Sequence, residues 1–225
     1  MISRQYAAWL AMQAIYDDAG RAQLFDQLLT VGNDVIGVKV INDTITITPE
    51  GTFNIEGWKE DFTFLPEPGQ DNDPVIHPVW GAVHGNFLKC VEDIYAVVKP
   101  LTAGLDIAIQ GHSRAAALAD GLASRFALDG IKVSSLSMFE SPRFGQQQYV
   151  EWARRQVKNG IINLYDSTRN GPDPFVLLPL SPWQDTYSML ELNAAPGGWK
   201  DLVAIEWHMS AAVYPGYLKV YPAAV

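Results

Sequence analysis

Cysteine and basic residues are both scarce in this sequence. It holds 1 Cys in 225 residues, which excludes an internal disulfide framework and a cysteine-rich zinc site. Lys and Arg number 16 against 25 Asp and Glu, and the formal net charge is −9. Because nucleic acids and anionic lipid surfaces bind basic faces, this balance argues against both as partners.

Long hydrophobic runs are missing as well. No stretch approaches the ~20 apolar residues of a membrane-spanning helix, so we expect no integral membrane association. The apolar segment 6–15 is interrupted by Gln13 and lacks a small-x-small cleavage site, which favours an amphipathic helix over a signal peptide. The sequence therefore predicts a cytoplasmic protein, or one released without a conventional signal.

Helical and strand patterns alternate along most of the chain. Apolar residues make up 48% of it, no repeat or linker is visible, and we expect one domain over residues 1–225. Helices are predicted at about 4–30, 82–99, 115–128 and 145–158, strands at 35–41, 44–48, 105–109, 131–139, 161–165 and 201–207, and a long surface loop at 49–78. This order favours an α/β fold with a mainly parallel sheet and helices on both faces.

The segment Gly111–Ala115 has the G-x-S-x-A pattern of a nucleophile elbow. A serine in such an elbow lies on a sharp turn from a strand into a helix, and small residues two positions before and after it let the two backbones approach. Ser113 is therefore a candidate nucleophile. The backbone N–H of Arg114, at the helix N-terminus, is a candidate oxyanion donor. The alternative is that Ser113 only caps the helix.

A nucleophilic serine needs a base, and the base needs an acid that orients it. Among the 4 histidines, His208 is favoured because it follows a predicted strand and lies C-terminal to Ser113, as the base does in α/β-hydrolases. His77 is expected to be exposed, His84 to be structural, and His112 to point away from the neighbouring serine.

The acid is expected between the serine and the base in the chain. Asp166 and Asp173 both follow the predicted strand 161–165, and their spacing leaves them level. Asp185 and Glu191 are later candidates. The alternative for each carboxylate is a solvated loop or turn residue.

Five segments, in matching order, resemble motifs of the class 3 lipases, the fungal-type triacylglycerol lipases of the α/β-hydrolase superfamily. They are Pro49–Thr52 followed by Trp58 and Asp61–Phe62, Val83–Phe87, Gly111–Ala119, Phe139–Gly145, and Asn170–Asp173 followed by Leu178–Pro179. The resemblance implies an α/β-hydrolase fold. It also implies a serine ester hydrolase that acts on a small-molecule or lipid ester without a metal or an organic cofactor.

The resemblance implies a complete catalytic set for this chain: a nucleophile, an acid, a base and two backbone oxyanion donors, namely Ser113, Asp173, His208, Thr52 and Arg114. It thereby favours Asp173 over Asp166 as the acid, a choice that the spacing along the chain did not decide. It also implies a lid over the pocket at about 53–69.

The chain departs from the family pattern around the elbow. Arg114 replaces the usual Leu or Gln, Ala115 and Ala116 replace two glycines, and Glu50 replaces the usual Arg. Glu50 is a candidate partner for the Arg114 cation. Three other interpretations stay open: a catalytically silent binding module, an acyltransferase with the same triad, and a structural or assembly protein. The sequence assigns no oligomeric state.

Six of the tryptophans and two of the tyrosines invite a ligand-platform interpretation, but we favour packing in the core and at its rim. They are Trp58, Trp80, Trp152, Trp183, Trp199, Trp207, Tyr214 and Tyr217.

Overall fold

The computed structural model describes residues 12, 14–51, 74–158, 160–165, 167–168, 171–172, 182–188 and 190–191. Its helices are α1 (Asp18–Leu24), α2 (Gly85–Val98), α3 (Arg114–Leu128) and α4 (Gln147–Gln156), with a 3-10 turn at Lys99–Thr102. Its strands are β1 (Gln27–Val31), β2 (Asp34–Ile41), β3 (Thr44–Pro49), β4 (Pro74–His77), β5 (Gly81–His84), β6 (Asp106–His112), β7 (Val133–Phe139), β8 (Gly145–Gln146), β9 (Ile161–Tyr165), β10 (Ser167–Thr168), β11 (Gly171–Pro172), β12 (Trp183–Gln184) and β13 (Leu190–Glu191).

The main sheet has seven strands in the order β1-β2-β3-β6-β7-β9-β13. From β3 to β13 all neighbouring strands are parallel, whereas β1, β2 and β3 pair antiparallel. The predicted parallel sheet is therefore present, with an antiparallel edge that makes the whole sheet mixed. The order matters for function because parallel strands present their carboxyl ends, and the loops that follow them, at one edge.

The hairpin between β2 and β3 forms where the sequence predicts it. Asn42 has a φ of 52°, a left-handed conformation that asparagine tolerates better than most residues. Ile41 then pairs with Thr44. Parallel pairing of Ile45 with Ile107 joins this hairpin to β6, which places β6 inside the sheet.

Helix α3 packs on β3, β6 and β7, and α2 packs against α3. The side of α3 that faces these neighbours is made largely of fully buried alanines, such as Ala115, Ala116 and Ala119. Small side chains allow a helix to lie close to a sheet. In the part of the chain that the structure describes, no helix is both long enough and apolar enough to cross a membrane.

A four-stranded antiparallel sheet in the order β12-β8-β5-β4 lies beside α4. Trp80 is fully buried next to it, with its ring 5.8 Å from that of Tyr149 and 5.6 Å from that of Trp152. Core packing, rather than a ligand platform, is thus confirmed for Trp80.

Two predicted boundaries are wrong because each segment forms an antiparallel hairpin with the neighbouring strand, which overrides the local helical pattern. The helical region expected at 4–30 ends at Leu24, and Gln27–Val31 is a strand paired with β2. The helix expected from residue 82 begins at Gly85, because Gly81–His84 pairs with β4. Strand β4 also occupies residues 74–77, which were expected to belong to the loop at 49–78. The strand expected at 201–207 lies outside the described residues.

Candidate active site

Ser113 lies between the end of β6 and the start of α3 in a strained backbone conformation. Its φ is 56° and its ψ is −133°, a combination that costs a non-glycine residue about 1–3 kcal/mol. A helix-capping serine has an extended backbone and accepts a hydrogen bond from the first turn. Ser113 makes no such side-chain hydrogen bond. The geometry is that of an elbow and not that of a cap.

Gly111 makes the elbow possible. A Cβ atom added there would overlap the backbone carbonyl of Ala115, in the first turn of α3. Two backbones approach this closely only where one residue lacks a side chain. The Ala115 methyl group, by contrast, is accommodated with the residue fully buried.

The Ser113 side chain is fully buried, and its Oγ has no hydrogen-bond partner among the described residues. Its backbone N–H donates to the carbonyl of Phe139 at 2.9 Å, which holds the turn against the end of β7. A buried hydroxyl without a partner costs about 1–3 kcal/mol. Backbone strain thus coincides at Ser113 with a buried hydroxyl that has no partner among the described residues, and strained residues cluster at functional sites.

The Arg114 side chain is 6% exposed and pairs with Asp34 through two hydrogen bonds, at 2.6 and 3.2 Å. It also donates to Cys90 Sγ at 3.1 Å. The expected pairing with Glu50 is wrong, because the Glu50 carboxylate pairs with Arg21. The reason is tertiary: Asp34 lies at the start of β2, where it meets the guanidinium in a bidentate geometry that neutralises it.

Glu50 and Gly51 lead into Thr52, and their backbone is held on two sides. The Glu50 N–H donates to the carbonyl of Val35 at 2.8 Å, and its carboxylate pairs with Arg21. Burial raises the pKa of Glu50, and the Arg21 charge opposes that rise. Thr52 itself and the expected lid at 53–69 lie outside the described residues.

Tyr16 connects the two segments that the sequence predicts to carry the oxyanion donors. Its hydroxyl lies 3.2 Å from His112 Nδ1 and meets the backbone of Gly51, where an added Cβ would overlap it. His112 directly precedes Ser113, and Gly51 directly precedes Thr52. Burial raises the pKa of Tyr16, so this hydroxyl is neutral at physiological pH.

His84 is structural, as predicted. Its Nδ1 accepts the N–H of Phe87 at 3.4 Å and so caps α2, and its ring stacks on that of Phe87 at 4.1 Å. Burial, with the Arg114 charge second, lowers the pKa of His84 to about 4. His84 is therefore neutral at pH 7.

His77 departs from the expected exposed loop residue. It ends β4, is half-buried and stacks on Trp80 at 4.2 Å. Its Nδ1 accepts the N–H groups of Val79 and Trp80. The turn after β4 needs an acceptor there, which gives His77 a local structural role.

The two leading acid candidates, Asp166 and Asp173, lie outside the described residues, as does His208. After β9 the chain folds back on itself, because β10 pairs antiparallel with β11, which ends directly before Asp173. Asp185 is engaged by Arg143 at 3.0 Å, an interaction that gives it a structural role. Among the described residues, no three or more His, Cys, Asp or Glu side chains are grouped as a metal site.

Asp120 is a buried acid that the sequence analysis did not single out. It lies on α3, accepts a hydrogen bond from Thr186 Oγ1 at 2.6 Å, and has its pKa raised to about 7 by burial. The available signal was a lone carboxylate within the otherwise apolar stretch 115–123.

The fold has clear relatives among solved structures. Over 84% of this chain and 78% of the other, it superposes on the triacylglyceride lipase of Rhizomucor miehei with a TM-score of 0.61 and 19% identity. The mono- and diacylglycerol lipase of Aspergillus oryzae gives a TM-score of 0.55 and 19% identity over 84% and 80%. Lip2 lipase of Yarrowia lipolytica gives 0.60 and 14% over 81% and 77%.

No protein-family model and no curated protein sequence matches the chain. At sequence identities of 14–19%, the structural similarity shows a shared fold and nothing more. The resemblance to the fungal-type lipases is therefore confirmed at that level: the chain shares its fold with solved fungal lipases.

Proposed function

We propose that the protein is a serine ester hydrolase of the lipase or esterase type. The observation that carries the proposal is Ser113: a strained, fully buried serine at the carboxyl end of a parallel strand, with an Oγ that has no hydrogen-bond partner among the described residues. The shared fold with lipases supports the same chemistry.

In the proposed reaction, Ser113 Oγ attacks the ester carbonyl carbon while His208 takes the hydroxyl proton. The tetrahedral intermediate collapses, and the alcohol leaves with the proton from His208. A water molecule then attacks the acyl-enzyme with the same base and releases the carboxylic acid. Asp173 orients the His208 ring and stabilises its protonated form.

The oxyanion is proposed to bind the backbone N–H groups of Arg114 and Thr52. Helix N-termini leave their first N–H groups without intrahelical acceptors, and the α3 dipole adds a partial positive charge there. The Arg114 side chain pairs with Asp34, and the proposed donor is its backbone N–H alone. One oxyanion donor is worth about 3–4 kcal/mol in the barrier.

The proposed substrate is a small-molecule or lipid carboxylic ester. The printed names of the structural relatives include a triacylglyceride lipase and a mono- and diacylglycerol lipase. We propose the same class of substrate, a carboxylic ester, for this chain, and we assign neither its acyl length nor its alcohol.

The decisive experiment is covalent trapping with a fluorophosphonate probe followed by peptide mass analysis. We expect the mass increase on the peptide that contains Ser113, loss of labelling in Ser113→Ala, and strongly slowed labelling in His208→Ala. A folded protein that is not labelled and does not hydrolyse p-nitrophenyl butyrate would contradict the proposal and favour a catalytically silent binding module.

A further inference from the structure

Arg114, the first residue of α3, is anchored through both its backbone and its side chain. Its backbone continues from the strained turn at Ser113. Its Nη1 and Nη2 atoms donate to the two carboxylate oxygens of Asp34, at the start of β2, at 2.6 and 3.2 Å. Its Nη2 also donates to Cys90 Sγ on α2 at 3.1 Å. One side chain thus ties the elbow to β2 and to α2.

The ion pair between Asp34 and Arg114 is largely shielded from water. The two side chains are 16% and 7% exposed, respectively. A buried ion pair is often no more stable than well-packed apolar residues in its place. In addition, a positive charge in the first turn of a helix opposes the helix dipole. A gain in stability is therefore a poor explanation for this pair.

Asp34 is itself fixed by main-chain hydrogen bonding on both sides. It pairs with Val31 in the hairpin between β1 and β2. The carbonyl of the next residue, Val35, accepts the N–H of Glu50 at 2.8 Å. A carboxylate held in this way offers two acceptors at fixed positions, and a guanidinium that binds both of them is fixed in direction as well as in distance.

The peptide group between Ser113 and Arg114 carries the N–H that we propose as an oxyanion donor. Because a peptide group is planar, the direction of this N–H depends on the backbone angles on either side of it. The ψ of Ser113 is −133°, within the strained turn. Strained backbone persists only where surrounding contacts hold it. On one side that contact is the Ser113 N–H, which donates to the Phe139 carbonyl at 2.9 Å, and on the other it is the anchored Arg114 side chain.

We propose that Asp34 is a positioning residue for the oxyanion site: through its ion pair with Arg114 it holds the peptide group between Ser113 and Arg114 in the orientation that directs its N–H at the oxyanion. This inference rests on the proposed function. The Arg114 backbone acts on the substrate, and Asp34 acts through Arg114, with no contact to the substrate and no part in proton transfer.

The test removes both charges together, in a double variant with Asp34→Leu and Arg114→Met. Either single variant would leave a buried charge unpaired and strongly destabilise the fold, whereas the double variant leaves none. Hydrolysis of p-nitrophenyl butyrate is measured, and kcat is expressed per active site titrated with the fluorophosphonate, so that only folded, labelled protein counts. We expect kcat to fall about tenfold with KM unchanged, a part of the roughly 10²–10³-fold effect of a whole oxyanion donor.

A second measurement separates the oxyanion site from general damage to the fold. A butyl trifluoromethyl ketone adds to a nucleophilic serine as a tetrahedral adduct that mimics the charged intermediate. We expect its Ki to rise about tenfold in the double variant, while the free energy of unfolding stays equal to or above that of the unmodified protein. Asp34→Asn keeps the side-chain size and one acceptor oxygen, and we expect it to lower kcat and raise Ki about threefold.

The matched control lies at the other end of the same helix. Arg125 pairs with Asp129 at 2.6 Å, and a second double variant, Arg125→Met with Asp129→Leu, receives the same substitutions there. We expect its kcat per site and its Ki for the ketone to be unchanged, because this pair lies at the C-terminal end of α3.

Three outcomes overturn the inference and leave the proposed function intact. The first is unchanged kcat and Ki in both the Asp34→Leu, Arg114→Met double variant and Asp34→Asn. The second is a loss of kcat in the first double variant with an unchanged Ki for the ketone. The third is an equal loss in the control double variant. Absence of labelling and hydrolysis in the unmodified protein overturns both proposals.

Discussion

Ser113 and Asp120 stand at the start and in the middle of the same helix, and each buries an oxygen atom that has no hydrogen-bond partner among the described residues. They are held in different ways. Ser113 is fixed by its own backbone, in a strained turn that Gly111 permits. Asp120 is fixed by a residue far along the chain. The strained turn sets the orientation of the Ser113 side chain, whereas the contact at Asp120 connects two segments that lie far apart in the chain.

The largest effect is expected from Ser113→Ala. It should lower kcat/KM for p-nitrophenyl butyrate by about 10⁴-fold or more, because the nucleophile is lost. It should also change the free energy of unfolding by no more than about 1 kcal/mol, because a single hydroxyl group is removed from a turn whose backbone stays the same. Steady-state kinetics and urea unfolding measure the two effects.

The matched control is Ser134→Ala, which removes a hydroxyl that donates to the Ile107 carbonyl at 2.7 Å. We expect it to lower stability by about 1 kcal/mol and to leave kcat unchanged. Equal activity losses in the two variants would contradict a special role for Ser113, because Ser134 is an ordinary half-buried serine.

Asp120→Asn should show a stability difference that depends on pH. The pKa of Asp120 is raised from 3.8 to about 7, so the unfolded chain loses this proton at lower pH than the folded chain does. Stability of the unmodified protein therefore falls between about pH 4 and pH 7. Relative to it, Asp120→Asn gains up to roughly 4 kcal/mol over that range and no more above it. Urea unfolding at pH 4, 5.5, 7 and 8 measures the change.

Asp129→Asn is the control, because its stability difference from the unmodified protein should change with pH in the opposite direction. Hydrogen bonds, first from Lys99 and then from Tyr95 and Arg125, hold the pKa of Asp129 below its ordinary value. Stability from this carboxylate is present above pH 4 and is lost on acidification. Asp129→Asn should therefore be less stable than the unmodified protein by a constant amount above pH 4, and this difference should shrink as the pH falls below 4. If the difference in free energy of unfolding between Asp120→Asn and the unmodified protein did not change with pH, burial of the Asp120 carboxylate would have no significant energetic effect.

Gly111→Ala tests the local constraint at the elbow. The added methyl group overlaps the Ala115 carbonyl, and both backbones have to move. We expect a loss of about 3 kcal/mol in the free energy of unfolding, together with loss of probe labelling. Gly104→Ala is the comparison: Gly104 has a φ of 78° with no atom within 4 Å of an added Cβ, so only about 1–2 kcal/mol of backbone strain is expected.

The smallest effect is expected from Tyr16→Phe. It removes the hydroxyl that meets His112 and Gly51, and we expect kcat to fall about fivefold with KM unchanged and stability to fall by about 1 kcal/mol. Tyr95→Phe is matched, since it removes a hydroxyl that donates to Asp129 at 2.7 Å. A similar stability cost with unchanged kcat is expected there. An unchanged kcat in Tyr16→Phe as well would show that this bridge has no role in catalysis.

Local patterns were enough to predict the centre of the molecule. The elbow follows from Gly111, Ser113 and Ala115 because the turn depends on residues within one helical turn of each other. The hairpin at Asn42 and the strand–helix alternation around α3 follow from equally short-range rules. His208 remains a prediction from its position in the chain, and Asp173 and Thr52 remain predictions from the resemblance.

Tertiary structure decided the contacts between distant segments. Arg114 pairs with Asp34, 80 residues away, rather than with the expected Glu50. The connection of Asp120 to Thr186 spans 66 residues. Which donor reaches a buried acceptor depends on how whole elements pack, and periodicity or spacing along one segment carries no information about that packing.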